Sequence, residues 1–519
     1  MILSILGNIL CFLFFACSYI TYLLYLMHMF QLNTYKTNEQ MNWMKKNQKP
    51  LLLRLILPAA AAVACIGFAE TGLLIAAGLW LVNALVFFRR KKAKKPLVYT
   101  QRVIRMLVTH FLLAAIVFGV VSGAFHLALW IPATLLYLFL PLLILAVNRI
   151  NAPIQKMINK KYVNEARKKI ADMPNLTVIG ITGSYGKTSV KFFLTELLSG
   201  KFNVLCTPLN YNTDLGVTKT IRENLQAIHE VFVCEMGARY VNDIKTICDI
   251  VHPKYGIITS IGPQHLETFG SMDQIIKTKF ELYDSIPASG QMFLNYDNEY
   301  IKNHVGDKNE VGFGQDSDAK FRLENVKMSS KGSSFTVCID NQERIEFVTD
   351  LIGEHNILDI VAAISAAYTL GVTGPELVKR VKRLKPVQHR LQLLPGRGRI
   401  SIIDDAYNSN PNGFKSAVDT LAYFDEVKVI VTPGMIELGE KEYELNYEAG
   451  RHASEVCDYI VLVGKKQTKP LYDGVCSNPA FDQSHLHVVE TLDEVWKLVG
   501  GLTGENMVVL LENDLPDNY

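Results

Sequence analysis

The sequence predicts an α-helical membrane region followed by two α/β domains. Apolar runs long enough for spanning helices dominate the first 150 residues. From about Asn175 onward, short β-rich runs alternate with helical stretches, which is the pattern of a parallel sheet covered by helices. A glycine-rich loop at residues 180–189 lies between the first of these strands and a helix. We therefore expect four regions: a transmembrane region, a basic cytosolic linker helix, a central α/β domain built on this loop and a Rossmann-like C-terminal α/β domain, at residues 1–150, 151–174, 175–385 and 386–519.

Composition sets the first limits on function. The chain has 519 residues, with 53 Lys and Arg against 50 Asp and Glu, so its net charge is only +3. This balance argues against a nucleic-acid partner, because proteins that bind nucleic acids usually carry a strong excess of basic residues. The nine cysteines include no CxxC pair. A thiolate zinc site or a disulfide framework is therefore not expected, and a reducing cytosol suits the α/β part.

The N-terminal region contains five apolar runs, at residues 2–30, 51–69, 71–88, 105–122 and 126–147. The second and third are short and could form one re-entrant hairpin, so four or five spans are predicted. The first run has no basic segment before it and is too long for a cleaved signal peptide.

Charges between the runs predict the orientation. Residues 31–50, 89–105 and 149–169 are rich in Lys and Arg, whereas the connections near 70–71 and 122–126 contain neither. Basic loops remain cytoplasmic. The prediction is therefore a multi-pass protein of the cell membrane, with its N-terminus outside and everything after residue 150 in the cytosol.

The α/β part contains two series of strands. The first series is predicted at 176–181, 203–207, 231–236, 256–261 and 291–295, with an antiparallel edge within 309–350. Two helices follow, at 357–370 and 375–384. The second series is predicted at 400–404, 427–432, 459–463 and 507–511. The Pro- and Gly-rich stretch at 385–399 marks the boundary between them.

The loop has the composition of a phosphate-binding loop. Its residues Gly183-Ser184-Tyr185-Gly186-Lys187-Thr188-Ser189 open a helix. Glycines let backbone N–H groups curl around phosphates, and the helix N-terminus adds partial positive charge. Lys187 is expected to contact the β- and γ-phosphates of ATP, and the Thr188 hydroxyl to reach Mg²⁺. Ile181 occupies the first glycine position of the usual spacing.

The segment Thr182–Lys191 resembles the nucleotide loop of the Mur ligases, the ATP-dependent amide ligases that build the peptidoglycan stem peptide. The resemblance covers residues 175–505 and is greatest to the branch that adds D-alanyl-D-alanine. Further motifs follow in the family's order. Residues 207–216 resemble an Asn-rich segment, where Asn210 is implied to act in catalysis and Asn212 to contact the acceptor.

The resemblance also implies two Mg²⁺ sites. Glu235 ends a strand beside the phosphate loop and is implied to bind metal together with Thr188. His265, in the segment 259–270, is implied to bind a second ion and to be catalytic. Lys279 corresponds to a lysine that carries a metal-binding carbamate in the family, with Lys277 as the competing position. Carbamylation requires a neutral amine and hence a pKa lowered by burial.

Further residues are implied to contact the nucleotide or the amine. Asn295, His355 and Asn356 resemble adenine-side contacts, although Asn356 could instead cap the helix that follows. An interdomain arginine that reaches the nucleotide falls on Arg390. The segment 404–411 resembles the part of the C-terminal domain that closes over ATP and the amine. Its nucleotide and substrate contacts are implied at Asp404, Asp405, Tyr407, Asn408 and Asn410.

These parts together imply a ligase that works through an acyl phosphate and joins an amino acid or dipeptide to a cell-envelope precursor. Two features depart from the family. Membrane spans replace the domain that holds the UDP-sugar, and the C-terminal end is acidic where a Lys-Gly-Ser-Arg-like run is typical. The expected partners are an envelope precursor, soluble or lipid-linked, an amine, membrane lipid and other wall-synthesis proteins. Alternatives are a ligase for another polymer such as poly-γ-glutamate, and a non-catalytic ATP-binding membrane protein.

Overall fold

The structure, a computed structural model, describes every residue except 1, 68, 89–94, 126–129, 210, 265, 305, 307, 330–331, 388, 407–408, 437, 503 and 515–519. The described chain forms two compact units, one from residues 1–160 and the other from residues 161–515.

The first unit is helical. Its helices are α1 (Ile2–Leu32), α2 (Thr37–Lys46), α3 (Gln48–Gly67), α4 (Ala69–Phe88), α5 (Gln101–Phe125), α6 (Trp130–Leu138) and α7, which runs from Leu140 to Ala171. Three described stretches are long and apolar enough to cross a membrane, namely Ile5–Leu32, Gln48–Ile66 and Gln101–Ser122. The stretch Thr71–Phe87 is apolar but shorter.

The last predicted apolar run is divided between two helices. Helices α6 and α7 meet at a bend of 72° and count as a fourth span only if they are taken together. Pro141 is the second residue of α7. Proline has no N–H to donate to the preceding turn but is tolerated at the start of a helix, which accounts for the break at Phe139.

The helical unit has a mostly apolar core that contains a few buried polar side chains, and its outer surface is also apolar. Tyr19 and His110 are hydrogen bonded at 2.8 Å, and Asn83 donates to Ser18 at 2.5 Å and to Tyr137 at 2.8 Å. Large apolar side chains are exposed on the outside, among them Phe12, Leu53, Ile56, Val63, Leu112 and Ile116. An apolar outer surface around helices that share a few buried polar contacts is expected of helices surrounded by lipid.

A nine-stranded sheet organises residues 177–349. Its strands are β1 (Thr177–Thr182), β2 (Val204–Cys206), β3 (Val231–Glu235), β4 (Tyr255–Ile258), β5 (Gln291–Asn295), β6 (Glu310–Gly314), β7 (Phe321–Ser329), β8 (Gly332–Ile339) and β9 (Glu343–Thr349). Their spatial order is β2-β3-β1-β4-β5-β6-β7-β8-β9. Pairs up to β6–β7 are parallel, and β7, β8 and β9 are antiparallel. The predicted parallel sheet with an antiparallel edge is confirmed.

Helices cover both faces of this sheet. They are α8 (Lys187–Leu198), α9 (Asp214–Asn224), α10 (Asp243–Val251), α11 (Leu266–Phe269), α12 (Met272–Ser285), α13 (Glu299–Lys302), α14 (Glu354–Thr369) and α15 (Gly374–Val381). The apolar faces of α8 and α14 pack on one side of the sheet, and α9, α10 and α12 pack on the other. The sheet is therefore buried on both faces, as parallel sheets usually are.

A second, six-stranded sheet has the order β10-β11-β15-β12-β13-β14. Its strands are β10 (Gln392–Arg397), β11 (Ile400–Asp405), β12 (Val427–Thr432), β13 (Tyr459–Val463), β14 (Leu486–Val489) and β15 (Met507–Glu512), with helices α16 (Pro411–Leu421), α17 (Glu442–Val456), α18 (Lys469–Cys476) and α19 (Leu492–Gly501). Every pair is parallel except β10–β11. The Rossmann-like architecture is confirmed, and the edge strands β10 and β14 are additions to the four predicted strands.

Candidate functional site

Two glycines shape the loop between β1 and α8. Gly183 has φ of 150° and Gly186 has φ of 79°, values that favour glycine. A Cβ on Gly183 would lie 2.1 Å from Thr259 Oγ1, and one on Gly186 would lie 2.3 Å from Asp359 Oδ1. Gly183 and Gly186 are thus required by dihedral angle and by space.

The loop is fixed to the end of β4. Ser184 N donates to Ser260 O at 2.6 Å, and Ser184 Oγ donates to Gly262 O at 3.0 Å. Tyr185 N donates to Ser260 Oγ at 3.3 Å. These bonds hold the backbone in place, so the loop is preorganised before any ligand arrives.

Lys187 lies over the opening of this loop. Its Nζ donates to Gly183 O at 2.6 Å and to Ser184 O at 2.9 Å. Burial lowers the pKa of Lys187 to about 8, while the nearby Glu235 carboxylate acts in the opposite direction. A half-buried ammonium group at the N-terminus of α8 is suited to hold a phosphate.

Three predicted site residues meet at the end of β3. Glu235 is only 1% exposed. Its Oε1 accepts from Thr188 Oγ1 at 3.1 Å and from Asn212 Nδ2 at 3.0 Å. Burial acts to raise the pKa of Glu235, but Lys191 and Lys187 outweigh it and leave the pKa lowered. The carboxylate and hydroxyl are hard oxygen donors of the kind that Mg²⁺ prefers.

Lys191 was missed by the sequence reasoning as a site residue. Its side chain is completely buried, and its Nζ lies 2.9 Å from Glu235 Oε2 and 2.6 Å from Leu209 O. Its position four residues after Lys187 places both lysines on one face of α8, and this spacing was the available signal. Lys191 links the phosphate-loop helix, the end of β3 and the segment that precedes Asn212.

Lys279 is buried in α12, with 3% of its surface exposed, whereas Lys277 is exposed. Burial and the nearby positive charge of Lys187 lower the pKa of Lys279 well below its usual range. Glu281, the other member of the predicted motif, instead accepts from Asn242 N at 2.6 Å and Lys245 N at 2.9 Å. Glu281 therefore caps the start of α10.

The predicted metal site is only partly described. Among the described residues no three His, Cys, Asp or Glu side chains form a metal-binding group. His265 and Asn210 lie outside the described residues. Glu235 and Thr188 are the metal-site residues that the structure brings together.

The predicted adenine-side residues make local contacts. Asn295 donates to Thr259 O at 2.8 Å and accepts from Asp297 N at 3.0 Å. Asn356 donates to Ile352 O at 2.8 Å and so ties the turn before α14. His355 Nδ1 lies 2.8 Å from Ser416 Oγ in α16, a contact between the two α/β domains, and burial lowers its pKa.

Arg390 carries positive charge between the two domains. Burial lowers the pKa of Lys187 and raises the pKa of Asp359 well above its usual range; the charge of Arg390 adds to the first shift and opposes the second. Asp404 Oδ2 accepts from His389 Nδ1 at 2.7 Å, and Asp405 Oδ1 accepts from Leu391 N at 3.0 Å. Both predicted aspartates thus fix the segment that carries Arg390.

The remaining predicted substrate residues either make a contact within the protein or lie outside the described residues. Tyr407 and Asn408 lie outside the described residues. Asn410 Oδ1 accepts from Gly413 N at 2.8 Å, so this side chain caps α16. Nearby, Glu512 is 1% exposed and accepts from Ser409 Oγ. The sequence reasoning assigned no role to Glu512 or to Asp359, both buried acids beside predicted site residues.

Two family descriptions match the α/β part. The Mur ligase middle domain matches residues 181–367, and the Mur ligase glutamate ligase domain matches residues 389–512. The UDP-N-acetylmuramoyl-tripeptide–D-alanyl-D-alanine ligase of Haemophilus influenzae is 30% identical over 305 residues, which are 57% of this chain and 65% of that protein. The Bacillus subtilis enzyme of the same name is 29% identical over 292 residues, 56% of this chain and 63% of that one. The chain thus spans just under two-thirds of the length of these relatives.

Solved structures of Mur ligases are also similar to this chain. MurF from Acinetobacter baumannii superposes with a TM-score of 0.63 at 26% identity, covering 69% of this chain and 77% of that one. MurF from Thermotoga maritima, solved in complex with ADP, has a TM-score of 0.62 at 24% identity, with coverage of 69% and 80%, and supports the fold alone. The two matched domains, their order and their sheets show that this chain belongs to the Mur ligase family.

Proposed function

We propose that the chain is a membrane-anchored, ATP-dependent acid–amino-acid ligase of the MurF type. It would add D-alanyl-D-alanine or a related amine to a peptidoglycan or other envelope precursor. The observation that carries this proposal is the convergence of Lys187, Thr188, Asn212 and Glu235 at one edge of the sheet. The names of the curated relatives support the choice of substrates.

The geometry suits transfer of the γ-phosphoryl group. Backbone N–H groups of the loop and the N-terminus of α8 would hold the phosphates, and Lys187 would neutralise developing negative charge. An acceptor carboxylate oxygen attacks the γ-phosphorus, the bond to the β-phosphate oxygen breaks and ADP leaves. The neutral amine nitrogen then attacks the acyl carbon and loses a proton, an amide bond forms, and the bond from the acyl carbon to the phosphate oxygen breaks, so that phosphate departs with that oxygen.

Mg²⁺ fits the described donors. Glu235 and Thr188 would hold the ion, which supplies charge neutralisation for the transferring phosphoryl group. Asn212 donates to the same carboxylate oxygen as Thr188 and so keeps Glu235 oriented. His265 is the proposed ligand of a second ion.

Lys279 is proposed to carry a carbamate. The neutral amine would add to CO₂, forming an N–C bond and releasing a proton. Its burial and its proximity to Lys187 support this step, because both favour the neutral amine.

Replacing Lys279 by alanine is expected to lower the rate of ADP formation by about 10²-fold or more, since a charged group near the phosphates is lost. Added acetate or formate should restore part of the rate by supplying a carboxylate. The exposed Lys277→Ala is the matched control and should retain activity. A variant at Lys279 that is inactive and not rescued would leave the carbamate without support, whereas the ligase proposal would stand.

The helical unit is proposed to anchor the ligase in the cell membrane, with the N-terminus outside. Apolar outer faces, polar interior contacts and basic connections at 31–50 and 89–105 support this arrangement. Reporter proteins fused after residues 40, 97 and 170 are expected to give cytoplasmic signals. A reporter after residue 124 is the control, and it should read external. An external signal at residue 170 would contradict the topology.

Direct assay of the full-length protein tests the ligase proposal. The protein would be incubated with ATP, D-alanyl-D-alanine and one of two acceptors, either soluble UDP-N-acetylmuramoyl-tripeptide or a lipid-linked muropeptide. The products would be followed by mass spectrometry. The expected product gains the mass of the dipeptide less one water, with one ADP released per amide. Hydrolysis of ATP without any amide product, across a panel of amines and envelope acceptors, would contradict the assignment.

A further inference from the structure

A buried arginine lies near the start of α3. Arg54 is 9% exposed, and its guanidinium carbon lies 4.3 Å from the ring centroid of Phe87, 4.4 Å from that of Tyr25 and 5.3 Å from that of Tyr22. Three aromatic rings from α1 and α4 therefore surround one cation. We call these four side chains the arginine cage.

Two donors in the cage are unsatisfied. Arg54 Nη1 and Tyr22 Oη are both buried, and neither has a hydrogen-bond partner among the described residues. No described carboxylate forms an ion pair with Arg54, and the groups that face its guanidinium are the neutral rings of the cage. A buried cation without an acceptor is strongly unfavourable, and cation–π contacts offset only part of that cost.

The other half-buried arginines that the structure describes in the helical unit, Arg102 and Arg105, have hydrogen-bond acceptors within the protein. Arg102 also stacks on a ring, 3.9 Å from the centroid of Tyr35, but donates to Asn148 Oδ1 at 3.3 Å. Arg105 donates to Gln155 Oε1 at 2.5 Å. The missing acceptor is therefore a particular property of the cage and not of arginine in this unit.

The depth of Arg54 suggests what the acceptor is. Arg54 is the seventh residue of α3, so it lies about 9 Å along the axis from Gln48. Lys45, Lys46 and Lys49 precede it in the predicted cytosolic loop. In a membrane-embedded α3 that enters the hydrocarbon layer at Gln48, Arg54 lies inside this layer but close to its cytosolic end, where a long arginine side chain interacts with lipid phosphates drawn towards it.

We propose that the arginine cage binds the phosphate group of a lipid in the cytosolic leaflet. Both unsatisfied groups can donate, so the ligand must accept hydrogen bonds. The guanidinium group can donate two parallel hydrogen bonds to two oxygens of one phosphate, and the aromatic rings fix the plane of the guanidinium group. A trapped water could accept from Tyr22 but would leave the charge of Arg54 uncompensated.

This inference rests on the membrane part of the proposed function but not on ligase activity. Failure of the topology reporters would remove the membrane placement itself. Failure of the lipid test below, with the topology intact, would remove only the lipid site.

The test is native mass spectrometry of the full-length protein in detergent with three probes. Phosphatidic acid has acyl chains and phosphate, diacylglycerol has the chains alone, and inorganic phosphate has the anion alone. We expect one tightly bound phosphatidic acid, no comparable diacylglycerol adduct and no displacement by inorganic phosphate. Displacement by inorganic phosphate would identify a soluble anion as the ligand and overturn the lipid assignment, and equal binding of diacylglycerol would overturn the phosphate assignment.

Variants separate a binding role from a structural one. Arg54→Gln is expected to weaken phosphatidic acid binding at least about tenfold, and the matched Arg102→Gln to leave it unchanged.

Tyr22→Phe removes an unsatisfied hydroxyl, so a purely structural role predicts no loss of thermal stability and no change in lipid binding. The lipid site predicts that Tyr22→Phe keeps the lipid-free Tm but loses much of the Tm increase on adding phosphatidic acid. If Arg54→Gln fails to fold, Tyr22→Phe still decides, and wild-type lipid binding in it overturns the proposal.

Discussion

Replacing Lys187 by alanine is expected to abolish turnover, with a fall of about 10³-fold or more in the rate of ADP formation. Lys187 Nζ lies at the opening of the loop, within 2.6 Å of Gly183 O and 2.9 Å of Ser184 O. Phosphate oxygens held there would gain a charge-assisted hydrogen bond from the same ammonium group. Lys191, the next lysine of α8, is engaged by Glu235 and Leu209 and so does not take the place of Lys187.

The control for this variant is Lys201→Ala. Lys201 also donates to two backbone carbonyls, those of Leu370 at 3.1 Å and Gly371 at 2.9 Å, but lies on the surface after α8. It should retain the wild-type rate and Tm. Wild-type ADP formation by Lys187→Ala would remove the basis of the ligase proposal.

Much of this fold was predictable because its signals are local. Nine predicted strand segments alternate with helices, and the buried strands are largely apolar runs, as in residues 231–234. The phosphate loop is equally local, since the glycines, the lysine and the helix start lie within seven residues, Gly183 to Ser189. A short window of sequence therefore specifies both features.

The missed features depend on partners distant in sequence. Strand β10 contains Pro395 and Gly396, which indicate a linker, yet an antiparallel edge with a register shift after Leu394 tolerates them. Asp359 lies beside Gly186 only because α14 packs against α8. Contacts of this kind exist only once the sheet has brought the helices together.

The role of Lys191 was missed for the same reason, since its partners are distant in sequence, and its replacement is the second change with a large expected effect. The ion pair between Lys191 Nζ and Glu235 Oε2, 2.9 Å apart, is almost wholly shielded, with the two side chains 0% and 2% exposed. Breaking a buried pair by removing one partner costs about 3–5 kcal/mol, because the remaining charge is uncompensated. Lys191→Met is therefore expected to be strongly destabilised, though methionine fills a similar volume.

Stability alone does not distinguish a structural lysine from one that positions the site. Lys191 also holds the carbonyl of Leu209, whose φ of 41° lies in the left-handed region and whose side chain is 70% exposed. Release of that carbonyl should free the turn that leads to Asn212. Faster chymotrypsin cleavage near Leu209 is the expected sign, measured at a temperature where the variant remains folded.

The decisive measurement is the effect of Mg²⁺ on ADP affinity, compared with the same titration in EDTA. In wild type, Mg²⁺ should tighten ADP binding, because Glu235 is held beside Thr188 by Lys191 and Asn212. In Lys191→Met we expect ADP affinity in EDTA to persist while the Mg²⁺ enhancement falls about tenfold or more, the cost of misplacing one charged ligand. Lys308→Met is the matched control, since Lys308 Nζ likewise holds backbone carbonyls, Tyr283 O at 2.6 Å and Ile286 O at 2.7 Å, but contacts no site carboxylate. Lys308→Met should lose stability but keep the tightening of ADP binding by Mg²⁺. If Lys191→Met also keeps this tightening undiminished, Lys191 has only a structural role.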